Sequence, residues 1–520
     1  MAVRLLLLIL LIVPSVRAMK VLLIPSPHIA SHLLYFTPLG EELLEQGHQV
    51  GIVVTPPLRN RVPKGSKGTS MITHIIPTKR TDEDLTGLLT ELGQIQAKRK
   101  SVLEMFPIMK ALIDIVNEAV ADLLDDGSVV QPLKKEKYDI AVVDGSPFLD
   151  SLYIVPYILD IPFCSLASNN LNNLMGTPAL PSFVPSTASL YTDRMTFLKR
   201  LSNFFLIIIL EQITTKYNFN EAEGNALIKK YAPNRPEIYH DLKRKTLLWL
   251  INQDNLLEFH VPLMENAIQV GGLSIMPNKP LPLELEDFLT KANNDVILVS
   301  FGSKSTEVLD PEIIAKLIFV FKAVNQSVIW KYNGNFIDLP SRIKLLKWIP
   351  QNDLLAHPKV KLFITHCGSN GQYEALNNGV PMLGLPLFGD QPHNAIRMQS
   401  KGYGIAMNVH DLTADQLLLN TKEILANSSY RDNIQKASKI FRSRKSPRKR
   451  AFEALEHVVM FGGEHLRPSS VEMPFWQLWM IDIYSFLTLV ISVIFFILKI
   501  VILFVCRFVT KRFRSKRKVD

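Results

Sequence analysis

The chain has 520 residues, 47% of them hydrophobic and 20% charged, more than one hydrophobic core organises, so two or three globular units are expected. The formal charge of +10 raises the question of a polyanionic partner. Its basic residues, however, cluster in the C-terminal tail, beside a hydrophobic span, and in RSRKSPRKR (Arg442 to Arg450), within a helical segment, so no nucleic acid is expected.

The N-terminus reads MAVRLLLLILLIVPSVRA. Arg4 precedes a short apolar block, Leu5 to Val13, and Val16 and Ala18 fit the small-residue pattern before a cleavage point. The block is too short to span a bilayer, so residues 1–18 are expected to be a signal peptide. KVLLIPSP follows as an apolar strand, FTPLGEELLEQGH as a helix closed by Gly47, and QVGIVVTP as another strand. Strand, helix, strand with unbroken apolar strands predicts a βαβ unit and a parallel sheet buried on both faces. The theme returns in YDIAVVDGSPF and IPFCSLAS. It restarts at DVILVSFGS (Asp295 to Ser303) and runs through SVIWKY, IKLLKWIP, VKLFITHCG and VPMLGLPL.

Two such series predict an α/β chain of two doubly wound domains, with the joint in the Gly- and Pro-rich VGGLSIMPNKPLP, Val270 to Pro282. The expected divisions are 19–275 and 276–465. FLKRLSNFFLIIILEQI, Phe197 to Ile213, reads as a buried helix, with membrane docking or a lipophilic pocket as the rival readings. Near the end, IYSFLTLVISVIFFIL opens an apolar run long enough to cross a bilayer, 483–506, in which Lys499 can snorkel. The basic tail 507–520 follows at once, and the positive-inside rule puts it in the cytosol. A signal peptide plus one late span predicts a type I single-pass protein with its mass in a lumen. KRKVD at the end places Lys518 and Lys516 third and fifth from the terminus, a spacing that resembles dilysine retrieval signals of endoplasmic-reticulum membrane proteins. Asn325-Gln-Ser and Asn427-Ser-Ser are sequons compatible with a lumenal domain. Cys164, Cys367 and Cys506 are too few for a disulfide framework, which leaves packing to hold the fold.

In open α/β sheets ligands bind beyond the carboxyl ends of the strands, so strand ends are where functional residues are sought. VKLFITHCGSNG is a strand, a turn and a helix start. His366 closes the strand, Gly368 and Gly371 let a ligand approach, and the N–H groups from Ser369, Asn370 and Gly371 onward form an anion site suited to a diphosphate. No GK[ST] follows, so this is not a P-loop. Taken alone, such a turn only caps a helix. Its neighbours add more: Trp348 can stack on a planar base with Gln351 reading its edge. Glu374 can accept from ribose hydroxyls, Asp390 and Gln391 can hold a sugar, and Ser303 can reach the phosphates.

The run W-x-P-Q-x-x-L-L-x-H-P, F-x-T-H-x-G-x-x-G, E-x-x-x-x-G-V-P and P-x-x-x-D-Q, residues 348 to 391 without a gap, resembles the signature of the UDP-glycosyltransferases, the UDP-glucuronosyltransferase superfamily. The resemblance extends to the two lobes, to GGEHLRP before the span and to the short basic tail. It implies a GT-B fold, two Rossmann-like domains facing a cleft with one C-terminal transmembrane helix. By that resemblance Trp348 and Gln351 hold uracil and Glu374 the ribose. Ser303, His366, Asn370 and Gly371 hold the diphosphate, and Asp390 and Gln391 the sugar. A UDP-sugar is then a co-substrate, with no cofactor or metal expected, and the other partners are a small lipophilic acceptor and the bilayer. A homo-oligomer is compatible with it.

SPHIASHLLYF brings His28 and His32 to a helical i, i+4 spacing, but no Glu of H-E-x-x-H and no third ligand accompanies them. The resemblance makes His32 the general base and Asp144, at the end of YDIAVVD, its orienting partner; alone, such an Asp caps a helix. Asp82 to Asp84, a DED string, reads as a solvated loop. In the glucuronosyl branch an arginine often follows the strand that here reads LLWLIN; Asn252 stands there instead, which favours a neutral sugar, glucose, over glucuronic acid.

Overall fold

The computed structural model describes residues 18–64, 70–78, 80, 87–88, 91, 106–147, 149–168, 172–177, 180–187, 189–216, 221–302, 309–335 and 337–516. The expected signal segment upstream of residue 18, Asp82 to Asp84 and Ser303 lie outside the described residues.

The first lobe is a seven-stranded sheet: β1 (Lys20–Ile24), β2 (Gln49–Val54), β3 (Ile72–Ile75), β4 (Ile140–Asp144), β5 (Phe163–Ala167), β6 (Trp249–Ile251) and β7 (Ala267–Gln269), in the order β3-β2-β1-β4-β5-β6-β7. The second is six-stranded: β8 (Val296–Ser300), β9 (Ser327–Lys331), β10 (Ile343–Leu346), β11 (Val360–Thr365), β12 (Met382–Gly384) and β13 (Gly404–Ala406), in the order β10-β9-β8-β11-β12-β13. Neighbouring strands run parallel in both. The reason is visible in β1. Val21 and Leu23 belong to one apolar cluster, Leu22 and Ile24 to another, and all four are buried. Side chains alternate across a strand, so an unbroken apolar run needs helices on both faces. β8 repeats the scheme, with Val296 and Leu298 on one side and Ile297 and Val299 on the other.

Each sheet reverses its strand order once, between β1 and β4 in the first and between β8 and β11 in the second. Chains leaving the two strands of such a pair turn to opposite faces, which opens a crevice at their carboxyl ends.

Four helices begin beyond strand ends, α1 (Ala30–Glu45) after β1, α3 (Gln351–Ala356) after β10, α4 (Ser369–Asn378) after β11 and α5 (Gln391–Ser400) after β12, while α2 (Phe197–Lys216) precedes β6. Helix α2 departs from expectation. Its Asn203 and Ile207 are buried, but Phe197, Leu198, Leu201, Phe204 and Phe205 are exposed, so it is not a buried helix along its described face. Helix α6 (Pro447–Phe461) amends the expected division at 276–465. It packs on α1, and its Ala451, Phe452, Ala454, Leu455 and Val458 complete the apolar cluster of the first lobe. The lobes are thus joined by two crossings. Asp254, just after β6, holds the second crossing: Arg444 Nη1 lies 3.0 Å from its Oδ2 and Arg450 Nη2 3.8 Å. Helix α7 (Ile481–Lys516) is longer at both ends than the span expected at 483–506; its most apolar 18-residue stretch has a mean hydropathy of 3.2, and none of that stretch is buried in the protein. Cys164, Cys367 and Cys506 are all unpaired thiols.

Leu455 is fully buried in the first lobe although it follows the second in sequence. Leu455→Ala should cost about 2–5 kcal/mol, read as a lower thermal-unfolding midpoint. A loss below about 1 kcal/mol would detach α6 from that core.

Candidate active site in the interlobe cleft

β1 leads into α1, whose first turn carries His32, and β4 ends on Asp144. Strand-order reversal brings the two together. His32 Nδ1 lies 2.6 Å from Asp144 Oδ2. The same carboxylate accepts from the backbone N–H of Ser26 at 3.2 Å and of Ser146 at 3.1 Å. Burial alone would raise the pKa of Asp144, but His32 and these bonds outweigh it and hold the acid below its usual value. An ionised acceptor forces Nδ1 to donate, which leaves the Nε2 lone pair of His32 free to take a proton. Tyr35 packs its ring 5.4 Å from the imidazole and closes one side. Across the cleft, burial raises the pKa of Asp390, and the nearby His32 opposes that rise. His28 is buried just ahead of α1, and among the described residues no three His, Cys, Asp or Glu side chains are placed to hold a metal.

The second crevice is lined by the ends of β8 and β11. Gly302 follows β8 at φ +89 and Cys367 follows β11 at φ +63, so the sharp reversal after His366 falls on a cysteine, an L-residue held in the left-handed region. The His366 ring lies against both flanking glycines: a Cβ on Gly302 would meet Nε2 at 2.9 Å and one on Gly368 at 2.5 Å. These glycines make room for the histidine. Burial first, and then the charge of Lys331, push His366 down to about 4, so it is a neutral imidazole. Gly368 is the N-cap of α4 and supplies no side-chain cap, which leaves the first N–H groups of the helix, at Ser369 and Asn370, turned outward as an anion site. Gly371 sits differently from expectation. It is buried, and a Cβ there would make only ordinary contacts, with Gln351 at 3.4 Å and Phe363 at 3.5 Å, so neither backbone conformation nor lack of room demands a glycine.

Trp348 lies just past β10 with its ring 70% exposed, free to receive a planar group. Gln351 Nε2 donates to Glu374 Oε2 at 2.5 Å, so the amide and the acid expected to read base and ribose touch each other. Burial raises Glu374 to about 7, partly offset by that bond. Asp390 Oδ2 accepts from Asn394 Nδ2 at 2.7 Å, and the same amide reaches the carbonyl of Cys367 at 3.0 Å. Gln391 Oε1 is already committed, accepting from the N–H groups of Leu387 at 2.8 Å and Phe388 at 3.1 Å; it shapes the turn that presents Asp390. Asn252 Oδ1 accepts from Gly272 N–H at 3.1 Å and fixes the first interlobe crossing.

Two contributors escaped the sequence reading. Lys331 ends β9 and donates to the carbonyl of Gly302 at 3.0 Å, a cation beside the anion site. The strand-end rule applied to SVIWK would have found it. Asn394, inside α5, had no such signal. Behind the site, α5 is fastened to the first lobe. The buried ion pair Arg397–Glu258 is joined by Lys401 Nζ on the carbonyl of Asn255 at 2.9 Å. Burial lowers Arg397 to about 9.

Comparison with known proteins agrees with this architecture. The family model described as UDP-glucoronosyl and UDP-glucosyl transferase matches residues 19–517. UDP-glucuronosyltransferase 3A1 of Bos taurus is 31% identical over 482 residues, 88% of each chain. UDP-glucuronosyltransferase 3A2 of Homo sapiens is 31% identical over 499 residues, 93% of each. Among solved structures, the spinosyn forosaminyltransferase SpnP superposes with a TM-score of 0.60 at 17% identity, covering 85% of this chain and all of that one, a likeness of fold. Two parallel-sheet lobes about a cleft, a family match over nearly the whole chain and relatives of matching length make this protein a glycosyltransferase of the GT-B fold, a member of the UDP-glucuronosyl and UDP-glucosyl transferase family.

Proposed function

We propose that this glycosyltransferase moves glucose from UDP-glucose to a hydroxyl of a small lipophilic acceptor, with inversion to a β-glycoside. The observation that carries the reading is the 2.6 Å bond between His32 and a buried, ionised Asp144 at the cleft. His32 Nε2 takes the acceptor proton as the hydroxyl oxygen attacks the anomeric carbon; the bond to the UDP oxygen breaks, and Asp144 stabilises the imidazolium. A single displacement inverts the donor's α linkage. UDP leaves against the N-terminus of α4, with Asn370 and His366 as donors and Lys331 as the nearby cation. Trp348 and Gln351 take uracil, Glu374 the ribose and Asp390 the sugar hydroxyls. Gln391 acts through the turn it holds, and Ser303 completes the phosphate contacts.

A glucuronyl donor carries an extra carboxylate and calls for a cation. Asn252 stands where the glucuronosyl branch often has arginine, and this supports a neutral sugar. The relatives compared above carry glucuronosyltransferase names, so UDP-glucuronic acid is the second donor. We place the lobes in the lumen of the endoplasmic reticulum, with α7 crossing the bilayer and the basic tail in the cytosol.

Product analysis with UDP-glucose, UDP-glucuronic acid and UDP-N-acetylglucosamine against phenols, steroids and other hydroxylated lipophiles should give glucosides at the highest kcat/KM; dominant glucuronides would reverse the donor assignment. His32→Ala should lower kcat about 10²–10⁴-fold while UDP affinity holds within about twofold. Retained turnover would remove His32 as the base.

A pH dependence follows from Glu374, whose folded pKa is raised to about 7. Ribose hydroxyls donate to the carboxylate, so UDP binds the ionised form and lowers that pKa. Affinity is then full above about pH 7 and falls as pH drops below it, by up to about tenfold per unit. Calorimetry from about pH 8 to about pH 6 should show this decline, and Glu374→Gln should flatten it. An unchanged slope in the variant would free Glu374 of the ribose.

A further inference from the structure

Over its described side chains, residues 197–208, helix α2 buries Asn203 and Ile207 and turns its largest apolar side chains outward. In a helix on a soluble domain the apolar stripe faces the core and polar residues face water. Here the inward face carries an asparagine. Asn203 is fully buried, accepts from the N–H of Ser186 at 2.7 Å and donates to the carbonyls of Pro181 and Val184, both at 2.8 Å. Phe197, Leu201, Phe204 and Phe205 fall at i, i+4, i+7 and i+8, on one stripe away from Asn203. Phe197 is 67% exposed and Phe205 53%, with Leu198 at 73% beside them. Side chains of this size are not left in water as one stripe without a partner.

What covers them is indicated by the neighbourhood. The ring of Phe204 meets that of Trp479 edge-on at 5.9 Å. Trp479 stands two residues before α7, and Trp476, Met480 and Ile481 are exposed around it. Tryptophans at the mouth of an apolar span mark the boundary between headgroups and hydrocarbon. The contact therefore sets the exposed stripe of α2 at the depth where the span enters the bilayer. Arg194 and Lys199 lie exposed at the start of the helix, with Lys199 over the ring of Tyr191 at 5.7 Å, placed to meet lipid phosphates. An apolar stripe of aromatic and aliphatic residues with basic residues at its edge is the make-up of a helix that lies in the interface rather than across it.

We propose that α2 is a second membrane contact of this enzyme, lying in the lumenal leaflet with Phe197, Leu201, Phe204 and Phe205 among the acyl chains. The proposal rests on the anchorage by α7 given above. It has a consequence for the cleft. The segment that Asn203 pins runs on to Ser189, whose backbone faces His393 of α5, the helix that begins beside Asp390. The bilayer surface and the wall of the cleft are then parts of one continuous body, and a lipophilic acceptor dissolved in the leaflet meets the protein next to its site.

The test uses the full chain in nanodiscs of phosphatidylcholine with a minor fraction of phosphatidylserine. In a Cys506→Ser background, whose remaining cysteines are buried, Phe205→Cys and Phe495→Cys are labelled singly with an environment-sensitive fluorophore. Lipids carrying a nitroxide at a shallow or a deep acyl position then quench according to depth. The expected result is a blue-shifted label at 205 quenched several-fold more by the shallow nitroxide, and a label at 495 quenched more by the deep one. Quenching at 495 with a water-like spectrum at 205 overturns the docking and leaves the anchorage standing. Loss of quenching at both overturns the two together.

Discussion

The chemistry of this protein depends on a topological constraint: a parallel sheet whose strand order reverses cannot cover the ends of the two strands at the reversal. Each lobe meets that constraint once. In the first lobe it brings the end of β4 beside the start of α1, so that Asp144 and His32 share a 2.6 Å bond. In the second it brings Gly302 and His366 into contact at the mouth of an uncapped helix. The residues come from positions far apart in the chain, and no local motif would unite them. The reversal does, because the crossovers on its two sides pass over opposite faces.

The two crevices are charged in opposite senses. The first-lobe side is organised around a buried anion, and its histidine is held as an acceptor of protons. The second-lobe side is organised around unsatisfied donors, a neutral His366, the half-charge of a helix start and the ammonium of Lys331. On the mechanism proposed above, a nucleophile that has to lose a proton and a leaving group that gains negative charge would find the complementary field on either side of one gap.

Much of this was legible in the residues. Apolar runs that stop at a polar residue, such as IAVVD and LFITH, locate strand ends because burial on both faces demands the first part and the crevice permits the second. What the sequence concealed was the direction in which certain side chains are spent. Gln391 looks like a ligand reader, yet a turn uses its oxygen. The apolar content of Phe197 to Ile213 was plain, but hydrophobicity alone does not say whether protein or lipid is the solvent. The return of α6 to the first lobe was likewise invisible, since its stripe fits either core.

That return has mechanical meaning. The polypeptide passes between the lobes twice, and Asp254 of the first lobe holds the second passage through Arg444 and Arg450. Two bodies joined by a single strand can swivel about it; a second strand, with the Arg397–Glu258 pair behind the site, removes much of that freedom.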